Sequence, residues 1–352
     1  MTSKTYVQII IFTIISFTLF HVIVWFSLTS KFFKIENDIT VGDLARLSYS
    51  EEILLLKKNE SSLPKKHFDY SSRKPVDIIT VGDSFSQGGG HGENSYYQDF
   101  IASNQNLNVL NIKALPGKGI FETVLILQNS GLLKRLKPRA IIVESAERYS
   151  IRRFTKNFNW KENREINEIE AGILKTIEKH KAVPPNELSI INKLNYKSIA
   201  YNILYNFDDN AYFSKVYITS LNKELFTGNC TDCLYFYSED IENMQLTNKK
   251  TINKLNQNFN QLQSILNADE IDLYFMPVVD KYNLYSKYIV DNEYGESTFF
   301  ELLRKQEKTY HFIDTKETLR ALTDQIIKNV YHPDDTHWSS IASESIFNSI
   351  KF

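Results

Sequence analysis

The sequence predicts an α/β fold in which a parallel β-sheet has helices on both faces. Short apolar runs at residues 76–81, 108–112 and 140–143 are rich in β-branched residues, and each is followed by a turn and a helix-forming segment. This alternation is typical of βαβ units. Similar runs return at residues 271–277 and 310–313 after a long interruption. We therefore expect one main domain that contains an insertion.

Length and composition agree with one main domain. The 352 residues are 42% hydrophobic, which is enough to bury a single large core. Lys and Arg number 41 against 42 Asp and Glu, so the formal net charge is -1. We expect no nucleic-acid partner, because the chain has no overall basic field to attract phosphates.

The first element is an apolar segment long enough to cross a membrane. Residues 6–28 contain no Asp, Glu, Lys or Arg, and a spanning helix needs about 20 apolar residues. A cleaved signal peptide has a shorter apolar stretch followed by small residues at the cleavage site. We therefore expect residues 1–30 to stay attached as a transmembrane anchor. The few flanking lysines do not decide its orientation.

Residues 31–74 are mixed in charge and are predicted to be a stalk and linker, and the folded domain is expected over residues 75–352. Within the domain, residues 122–136 fit a helix that ends before Lys137, because Pro138 disfavours helix in the residue before it. The chain should close with a helix over about residues 340–350, for which Ser339 is the candidate N-cap.

An insertion is expected between about residues 150 and 268, in a segment rich in Asn, Lys, Glu and aromatic residues. It is predicted to be mainly helical. Its last part shows apolar residues at spacings of three and four, as on one face of an amphipathic helix. These residues are Ile252, Leu255, Phe259, Leu262 and Leu266. The tyrosines of the insertion, including Tyr196, could stack on sugars or pack in the core.

The only cysteines, Cys230 and Cys233, have a C-x-x-C spacing. Two thiols cannot supply the four ligands of a structural zinc site. A chain without other thiols suits an oxidising compartment, where the pair would form a disulfide, and free thiols are the alternative. No strand-to-helix context around the pair supports a redox role. We expect neither a metal nor a cofactor.

Ser84 is the candidate nucleophile. The first predicted strand leads directly into Gly82-Asp83-Ser84, which places Ser84 at the carboxyl end of a parallel strand, where open α/β sheets bind ligands. The glycine tolerates a sharp turn, and amides at the start of the next helix can stabilise an oxyanion. Because the same residues also form ordinary turns, a nucleophile needs a partner elsewhere.

The candidate partner is His337, in the loop before the last helix. A hydroxyl nucleophile needs a neutral imidazole to accept its proton and a carboxylate to orient that imidazole. In an extended loop Asp335 would point to the same side as His337, and in a turned loop Asp334 would do so. The alternative interpretation of His337 is an ordinary histidine of a surface loop.

Together, the two sites resemble the SGNH (GDSL-type) hydrolase superfamily. The Gly-Asp-Ser tripeptide that ends at Ser84 is similar to its nucleophile block, and Asp334-x-x-His337 is similar to its last block. The resemblance implies a three-layer, flavodoxin-like fold and a Ser-His-Asp triad. It also implies oxyanion donors at Ser84 and Gly117, the preferred match to the family's glycine. The family's asparagine after the third strand is missing.

Four motifs are similar to those of the alginate O-acetyltransferase branch of SGNH proteins. They are GDSF at Ser84, a Glu-Arg pair at Arg148, Pro-x-x-x-Lys-x-x-x-Tyr over residues 277–285, and Asp-Thr-His-Trp over residues 335–338. In that branch the last motif precedes the first, whereas the order here is reversed. The resemblance excludes the insertion, and it favours Asp335 over Asp334 as the orienting acid.

Members of that branch are bound to the cell envelope and transfer acyl groups, usually acetyl, to polysaccharide hydroxyls. They work beside a multispanning membrane protein that exports the acyl group. The resemblance therefore implies a single-pass protein of the cytoplasmic (inner) membrane with its catalytic domain on the periplasmic or extracellular side. It makes four residues candidates for contacting the substrate. These are Arg148, Lys281, Tyr285 and Trp338.

The expected function is therefore extracytoplasmic O-acyl transfer, with O-acetyl as the expected group, to a cell-envelope glycan or exopolysaccharide through an acyl-serine intermediate. Two alternatives remain open. The first is a carbohydrate esterase, deacetylase or lipase-like hydrolase that uses the same triad. The second is a non-catalytic envelope scaffold. Arg148 and Lys281 could also serve in structural ion pairs instead of binding an anionic glycan.

Overall fold

The structure, a computed structural model, describes residues 2–33, 35–36, 39–54, 62–89, 92–181 and 189–352. The strands are β1 (Ile35–Glu36), β2 (Ile39–Thr40), β3 (Ile78–Gly82), β4 (Val109–Lys113), β5 (Ala140–Ala146), β6 (Val216–Ser220), β7 (Cys233–Tyr237), β8 (Asp272–Val278) and β9 (His311–Phe312). The helices are α1 (Ser3–Ser27), α2 (Asp43–Ser48), α3 (Tyr97–Gln105), α4 (Ile120–Asn129), α5 (Leu132–Leu136), α6 (Glu147–Phe154), α7 (Ile166–Lys181), α8 (Leu194–Leu204), α9 (Glu239–Glu242), α10 (Lys249–Leu266), α11 (Lys281–Tyr285), α12 (Phe299–Arg304), α13 (Thr315–Asp324) and α14 (Ser340–Asn348).

A parallel sheet of five strands forms the centre of the molecule, in the order β4-β3-β5-β8-β9. Counted along the chain within this sheet, the order is 2-1-3-4-5, as in flavodoxin-like doubly wound folds. Every residue of β3 and β5 is buried, because helices cover both faces of such a sheet. The predicted three-layer α/β fold is confirmed.

Two groups of helices cover the sheet. Helix α14 contacts α3 and α13, and helix α6 contacts α4 and α10. The five apolar residues predicted to form one face of an amphipathic helix lie on α10 and are all fully buried. An Asn248 capping box starts this helix. The helical prediction for this part of the insertion is therefore confirmed.

Two local predictions differ from the structure. The single helix expected over residues 122–136 is divided into α4 and α5, because Gly131 adopts a left-handed conformation with φ 78° that interrupts the helix. Ser339 occupies the N-cap position of α14, but its hydroxyl donates to the backbone carbonyl of Asn329 at 2.6 Å instead of capping the helix.

The insertion between β5 and β8 is not only helical. It contains the antiparallel hairpin β6–β7 in addition to α7, α8 and α9. Cys230 and Cys233 are joined by a disulfide at the start of β7. Residues 182–188 of the predicted insertion lie outside the described residues.

The segment predicted to be a stalk and linker contains a helix that packs into the domain. Leu44 and Ala45 of α2 are fully buried in a second apolar cluster, the membrane-proximal core. Its buried members are Phe32, Leu44, Ala45, Tyr49, Ile53, Tyr201, Ala211, Val216 and Tyr235. Helix α2 is therefore part of the folded domain and not part of a free linker. Residues 34, 37–38 and 55–61 of this segment lie outside the described residues.

Helix α1 is long and apolar enough to cross a membrane, with a mean hydropathy of 2.5 over its most apolar window. Its residues up to Leu19 are exposed, as expected for a helix surrounded by lipid. His21 and Val24, near its end, are buried against the rest of the protein. By length and composition, α1 can serve as a single membrane anchor.

Candidate active site

The candidate nucleophile and base are in hydrogen-bond contact. The Ser84 hydroxyl lies 2.7 Å from Nε2 of His337. Nδ1 of His337 lies 2.6 Å from Oδ1 of Asp335, and this oxygen also accepts the backbone N–H of His337 at 3.1 Å. With the Nδ1 proton facing Asp335, Nε2 can accept the proton of Ser84. This is the geometry of a serine-hydrolase triad.

Glycines allow the turn that carries Ser84, residues 82–89, to approach its neighbours closely. We call this segment the nucleophile turn. A Cβ at Gly82, the last residue of β3, would overlap with the Ser86 hydroxyl and the Glu144 carboxyl group. A Cβ at Gly89 would overlap with the His337 ring. The turn places Ser84 in an exposed position at the carboxyl edge of the sheet. A substrate can therefore reach its hydroxyl.

Glu144 holds the nucleophile turn from the neighbouring strand β5. It is fully buried, and its Oε2 accepts the amides of Asp83 at 2.9 Å and Ser86 at 3.1 Å and the Ser86 hydroxyl at 2.7 Å. Sequence reasoning did not assign Glu144 this role. A signal was present, because an ionisable residue interrupts the apolar residues of a buried strand.

The pKa values of Asp83 and Glu144 are shifted in opposite directions. Burial, then the charge of Asp83, raises the pKa of Glu144 well above its usual value. Burial alone would raise the pKa of Asp83, but Arg153, together with hydrogen bonds from Glu144 and the Ala146 amide, lowers it. These shifts favour the protonated form of Glu144 and the charged form of Asp83, which pairs with Arg153. The pair ties the turn to β5 and α6.

Asp335, and not Asp334, faces His337. Asp334 is fully buried, and its Oδ2 accepts the backbone N–H of Gly42 at 2.8 Å. The backbone carbonyl of Asp334 accepts the N–H of Ala45 at 3.1 Å. Asp334 therefore attaches the loop that carries His337, residues 331–339, to the start of α2. In this loop, called the catalytic loop below, Asp335 is left to orient the imidazole.

A further carboxylate, Asp43 of α2, approaches the triad. It accepts the backbone N–H of Thr336 at 2.8 Å and its hydroxyl at 2.6 Å. A carboxylate oxygen of Asp43, one of Asp335 and a ring nitrogen of His337 lie within 4.8 Å of one another. Sequence reasoning missed Asp43, since it lies in the predicted linker and nothing local connects it to a loop 293 residues away.

The carboxylates around His337 favour its protonated form. Burial alone would lower the pKa of His337, but the charge and hydrogen bond of Asp335 and the charge of Asp43 raise it above 6.5, against the opposing charge of Arg148. Burial, then the charge of Asp335, raises the pKa of Asp43 itself. The base is therefore stabilised in its charged form, as proton transfer from a serine requires.

These shifts predict how the rate of ester cleavage depends on pH. The base must be neutral, so kcat/KM should rise with pH and reach half its maximum above pH 6.5. In Asp43→Asn the midpoint should move to lower pH, because one negative charge that stabilises the imidazolium is lost. The measurement is a pH profile of cleavage of an activated acetyl ester.

The matched control for the pH profile is Asp291→Asn, which removes a charge from an exposed residue and should leave the midpoint unchanged. A midpoint that is the same in the wild type and in Asp43→Asn would contradict the electrostatic role of Asp43.

Arg148 and Lys281, two candidates for glycan binding, are buried and use their charges inside the protein. Arg148 pairs with Asp240 at 3.1 Å and Asp280 at 2.6 Å. Burial lowers the pKa of Lys281 to about 8, against the opposing charges of Asp334 and Asp335. The structural alternative therefore describes both residues, since a buried cation needs internal partners.

Lys281 braces the catalytic loop. Its ammonium group donates to the backbone carbonyls of His332 at 2.7 Å, Pro333 at 3.0 Å and Asp335 at 3.1 Å. Three carbonyls around one buried cation fix the path of the chain just before His337. The role of Lys281 is thus to position the loop.

Tyr285 and Trp338, the other candidates for substrate contact, are also core residues. Tyr285 is fully buried, and its hydroxyl accepts the backbone N–H of Tyr331 at 3.3 Å. Trp338 is 4% exposed, and its ring packs edge-on against Phe85 at 5.0 Å. Trp338 thus packs against Phe85, next to Ser84, and Tyr285 holds Tyr331, at the start of the loop that carries His337.

A cavity of about 270 Å³ adjoins the nucleophile turn, and Asp83, Gly119 and Arg153 are among the residues that line it. Gly117, the predicted oxyanion donor, is exposed at φ 74° and is not one of the lining residues. Among the described residues, the amides of Ser84 and Gly119 have no hydrogen-bond acceptor. Gly119 is therefore a second candidate for the oxyanion donor beside Gly117, because it lines the cavity together with Asp83.

Where the family's asparagine would lie, at the end of β5, the structure has a buried polar network. Glu147 is 6% exposed and accepts hydrogen bonds from Asn283 at 2.8 Å and Ser297 at 2.5 Å. Its carboxyl group is directed into the protein. This position does not supply a third oxyanion donor.

In comparisons with known proteins, the chain matches no protein-family model, no curated protein and no solved structure at a significant level. The geometry of the site is therefore the basis for the functional interpretation.

Proposed function

We propose that this protein is a membrane-anchored O-acyltransferase of the SGNH type that transfers an acyl group, with acetyl as the expected group, to a glycan outside the cytoplasm. The observation that carries the proposal is the continuous chain of short contacts from Ser84 through His337 to Asp335. These contacts lie at the carboxyl edge of a parallel sheet, where doubly wound folds place their ligands.

In the first half-reaction, the Ser84 oxygen attacks the carbonyl carbon of the acyl donor while its proton passes to Nε2 of His337. The amides of Ser84 and Gly119 stabilise the oxyanion. The bond to the leaving group then breaks, and the leaving group takes the proton from Nε2. The product is an acyl ester on Ser84.

In the second half-reaction, a glycan hydroxyl gives its proton to Nε2 of His337 and attacks the acyl carbon. The ester bond to Ser84 breaks, and its oxygen recovers the proton from His337. Asp335 holds the imidazole in the required tautomer in both halves. Both half-reactions use His337 as the base, and His337 is neutral again at the end of each.

The membrane anchor supports a location beside an acyl donor in the envelope. Helix α1 can hold the domain at a membrane, and a multispanning protein that exports acyl groups would supply the donor. The proposal places the domain on the periplasmic or extracellular side of the cytoplasmic membrane. The disulfide between Cys230 and Cys233 supports that side, because such bonds persist in oxidising compartments.

A second candidate function is hydrolysis, in which water replaces the glycan hydroxyl. The exposed position of Ser84 favours it, since nothing in the described residues encloses the nucleophile and keeps water from the acyl intermediate. The reaction steps on Ser84 and His337 are otherwise the same.

The two functions are distinguished by the fate of the acyl group. The full chain in vesicles is incubated with 4-nitrophenyl acetate, alone and with either a neutral hexose oligosaccharide or a uronic-acid oligosaccharide. Transfer predicts oligosaccharide that carries an added acetyl group by mass spectrometry and faster nitrophenol release when acceptor is present. Release at full rate without acceptor, together with unmodified oligosaccharide, would support hydrolysis and contradict transfer.

A further inference from the structure

The free part of α1 is too short to cross a bilayer alone. Its apolar segment starts at Tyr6, and the first residue of the helix that is not exposed is Phe20, whose ring stacks on Tyr196 at 4.9 Å. The uncovered helix, residues 6–19, measures about 21 Å at 1.5 Å per residue, whereas the hydrocarbon core is about 30 Å thick. The stretch of α1 covered by the domain must therefore lie partly in the membrane.

The element that covers this stretch is α8. The side chain of Asn195 donates to Nδ1 of His21 at 2.8 Å, and the hydroxyls of Ser198 and Thr29 are 2.9 Å apart. Asn195, Ser198, His21 and Thr29 are almost completely buried. His21 lies about 10 Å before the C-cap of α1 at Leu28. The start of α8 is thus fixed beside the part of α1 that lies at the level of the membrane.

Beside these contacts, α8 carries apolar side chains that are exposed. Tyr196 and Ile203 are 51% and 55% exposed, and their spacing of seven residues places them on one side of the helix. Phe207, in the turn that follows α8, is 72% exposed. The preceding loop adds Ile190 and Ile191, which are also exposed. The helix therefore packs on α1 through Asn195 and Ser198 and leaves much of Tyr196 and Ile203 exposed beside these contacts.

The exposed apolar residues are concentrated in this part of the chain. After α1, the described residues include twelve exposed large hydrophobic side chains, and seven of them lie within residues 190–213. Residues 189–207 contain Lys193 and Lys197 but no Asp or Glu. An apolar stripe accompanied by lysines is characteristic of helices that lie in a membrane interface, where the lysines reach anionic headgroups.

We propose that α8, the loop before it and the turn after it form a second membrane contact, with Ile190, Ile191, Tyr196, Ile203 and Phe207 in contact with lipid. This inference does not depend on the proposed acyl transfer. It assigns Tyr196 to the membrane surface instead of to sugar stacking.

The second contact has a consequence for the orientation of the domain. A single helix would allow the domain to rotate and tilt over the membrane, whereas a helix and an adjoining interfacial helix fix both motions. The membrane-proximal core joins α8 to α2, and α2 is bonded to the catalytic loop through Gly42 and Asp43. The height and orientation of the candidate active site above the bilayer are thereby set.

The test places spin labels on α8 and on a control helix. Ile191→Cys and Ile203→Cys are labelled separately in the full chain, in which the native cysteines are joined in a disulfide. Each variant is reconstituted into vesicles of phosphatidylcholine and phosphatidylglycerol. Collisions of the label with oxygen, which enters lipid, are compared with collisions with a water-soluble nickel complex.

The matched control is Ile341→Cys, a 39% exposed position on α14, and flotation verifies that every variant is inserted in the vesicles. We expect several-fold more oxygen than nickel collisions at residues 191 and 203 relative to residue 341. Equal nickel accessibility at all three positions would overturn the proposal. Shielding in native membranes but not in pure lipid vesicles would also overturn it and assign the surface to a protein partner.

Discussion

Replacing Ser84 with alanine is expected to reduce kcat/KM for an activated acetyl ester by about 10⁴-fold or more, which corresponds to ~5 kcal/mol of transition-state stabilisation. Without the hydroxyl no acyl-serine can form, and His337 has no nucleophile to deprotonate. Only the oxyanion donors and substrate binding then contribute. The measurement is ester cleavage by the full chain, together with covalent labelling of the serine by a fluorophosphonate.

The variant should keep its fold, because Ser84 is exposed and its removal leaves no buried cavity. Ser349→Ala, at another exposed serine, is the matched control. It should retain full ester-cleavage activity and full labelling by the fluorophosphonate. If Ser84→Ala cleaved the ester at the wild-type rate, both the transferase and the hydrolase would be ruled out, and a non-catalytic scaffold would be favoured.

Replacing Asp335 with asparagine is expected to lower kcat by about 10⁴-fold, as for other triads that lose their carboxylate. The asparagine amide can donate to Nδ1 and so favour the tautomer in which Nε2 carries the proton and cannot accept another. It also removes the charge that stabilises the imidazolium. The measurement is kcat of the wild type and of Asp335→Asn, at a pH above the midpoint of the wild-type profile.

Asp334→Asn is the matched control, because it changes the adjacent residue in the same way. The asparagine oxygen can still accept the Gly42 amide, so the loop should keep its place and activity should fall by no more than about tenfold, the effect of ~1.4 kcal/mol. A larger loss in Asp334→Asn than in Asp335→Asn would reverse the assignment of the orienting acid.

The main sheet could be predicted because each strand is encoded by neighbouring residues. The runs that begin at residues 76, 108, 140, 271 and 310 all appear as strands within three residues of their expected ends. Periodicity also located α10, since its apolar residues repeat with the helical spacing. The hairpin β6–β7 was missed, because its aromatic and polar residues give no clear alternation against the helical segments around it.

The residues proposed for substrate contact show the limit of motif reasoning. Arg148, Lys281, Tyr285 and Trp338 stand at the positions that the resemblance marks, yet all four are buried. A motif states which residue types occur, whereas burial depends on every element packed around them. Lys281 illustrates this, because its partners are three carbonyls of a loop more than fifty residues away.

The sequence by itself determined the apolar N-terminal helix, the alternation of strands and helices, and the two residues Ser84 and His337 as a candidate pair. These features depend on local periodicity and turn chemistry, which adjacent residues encode. The tertiary structure alone decided that Asp335 faces the imidazole, that Gly119 lines one cavity with Asp83, and that Asp43 joins the site. Those outcomes depend on distances and burial between segments that are far apart in the chain, which only the packed fold sets.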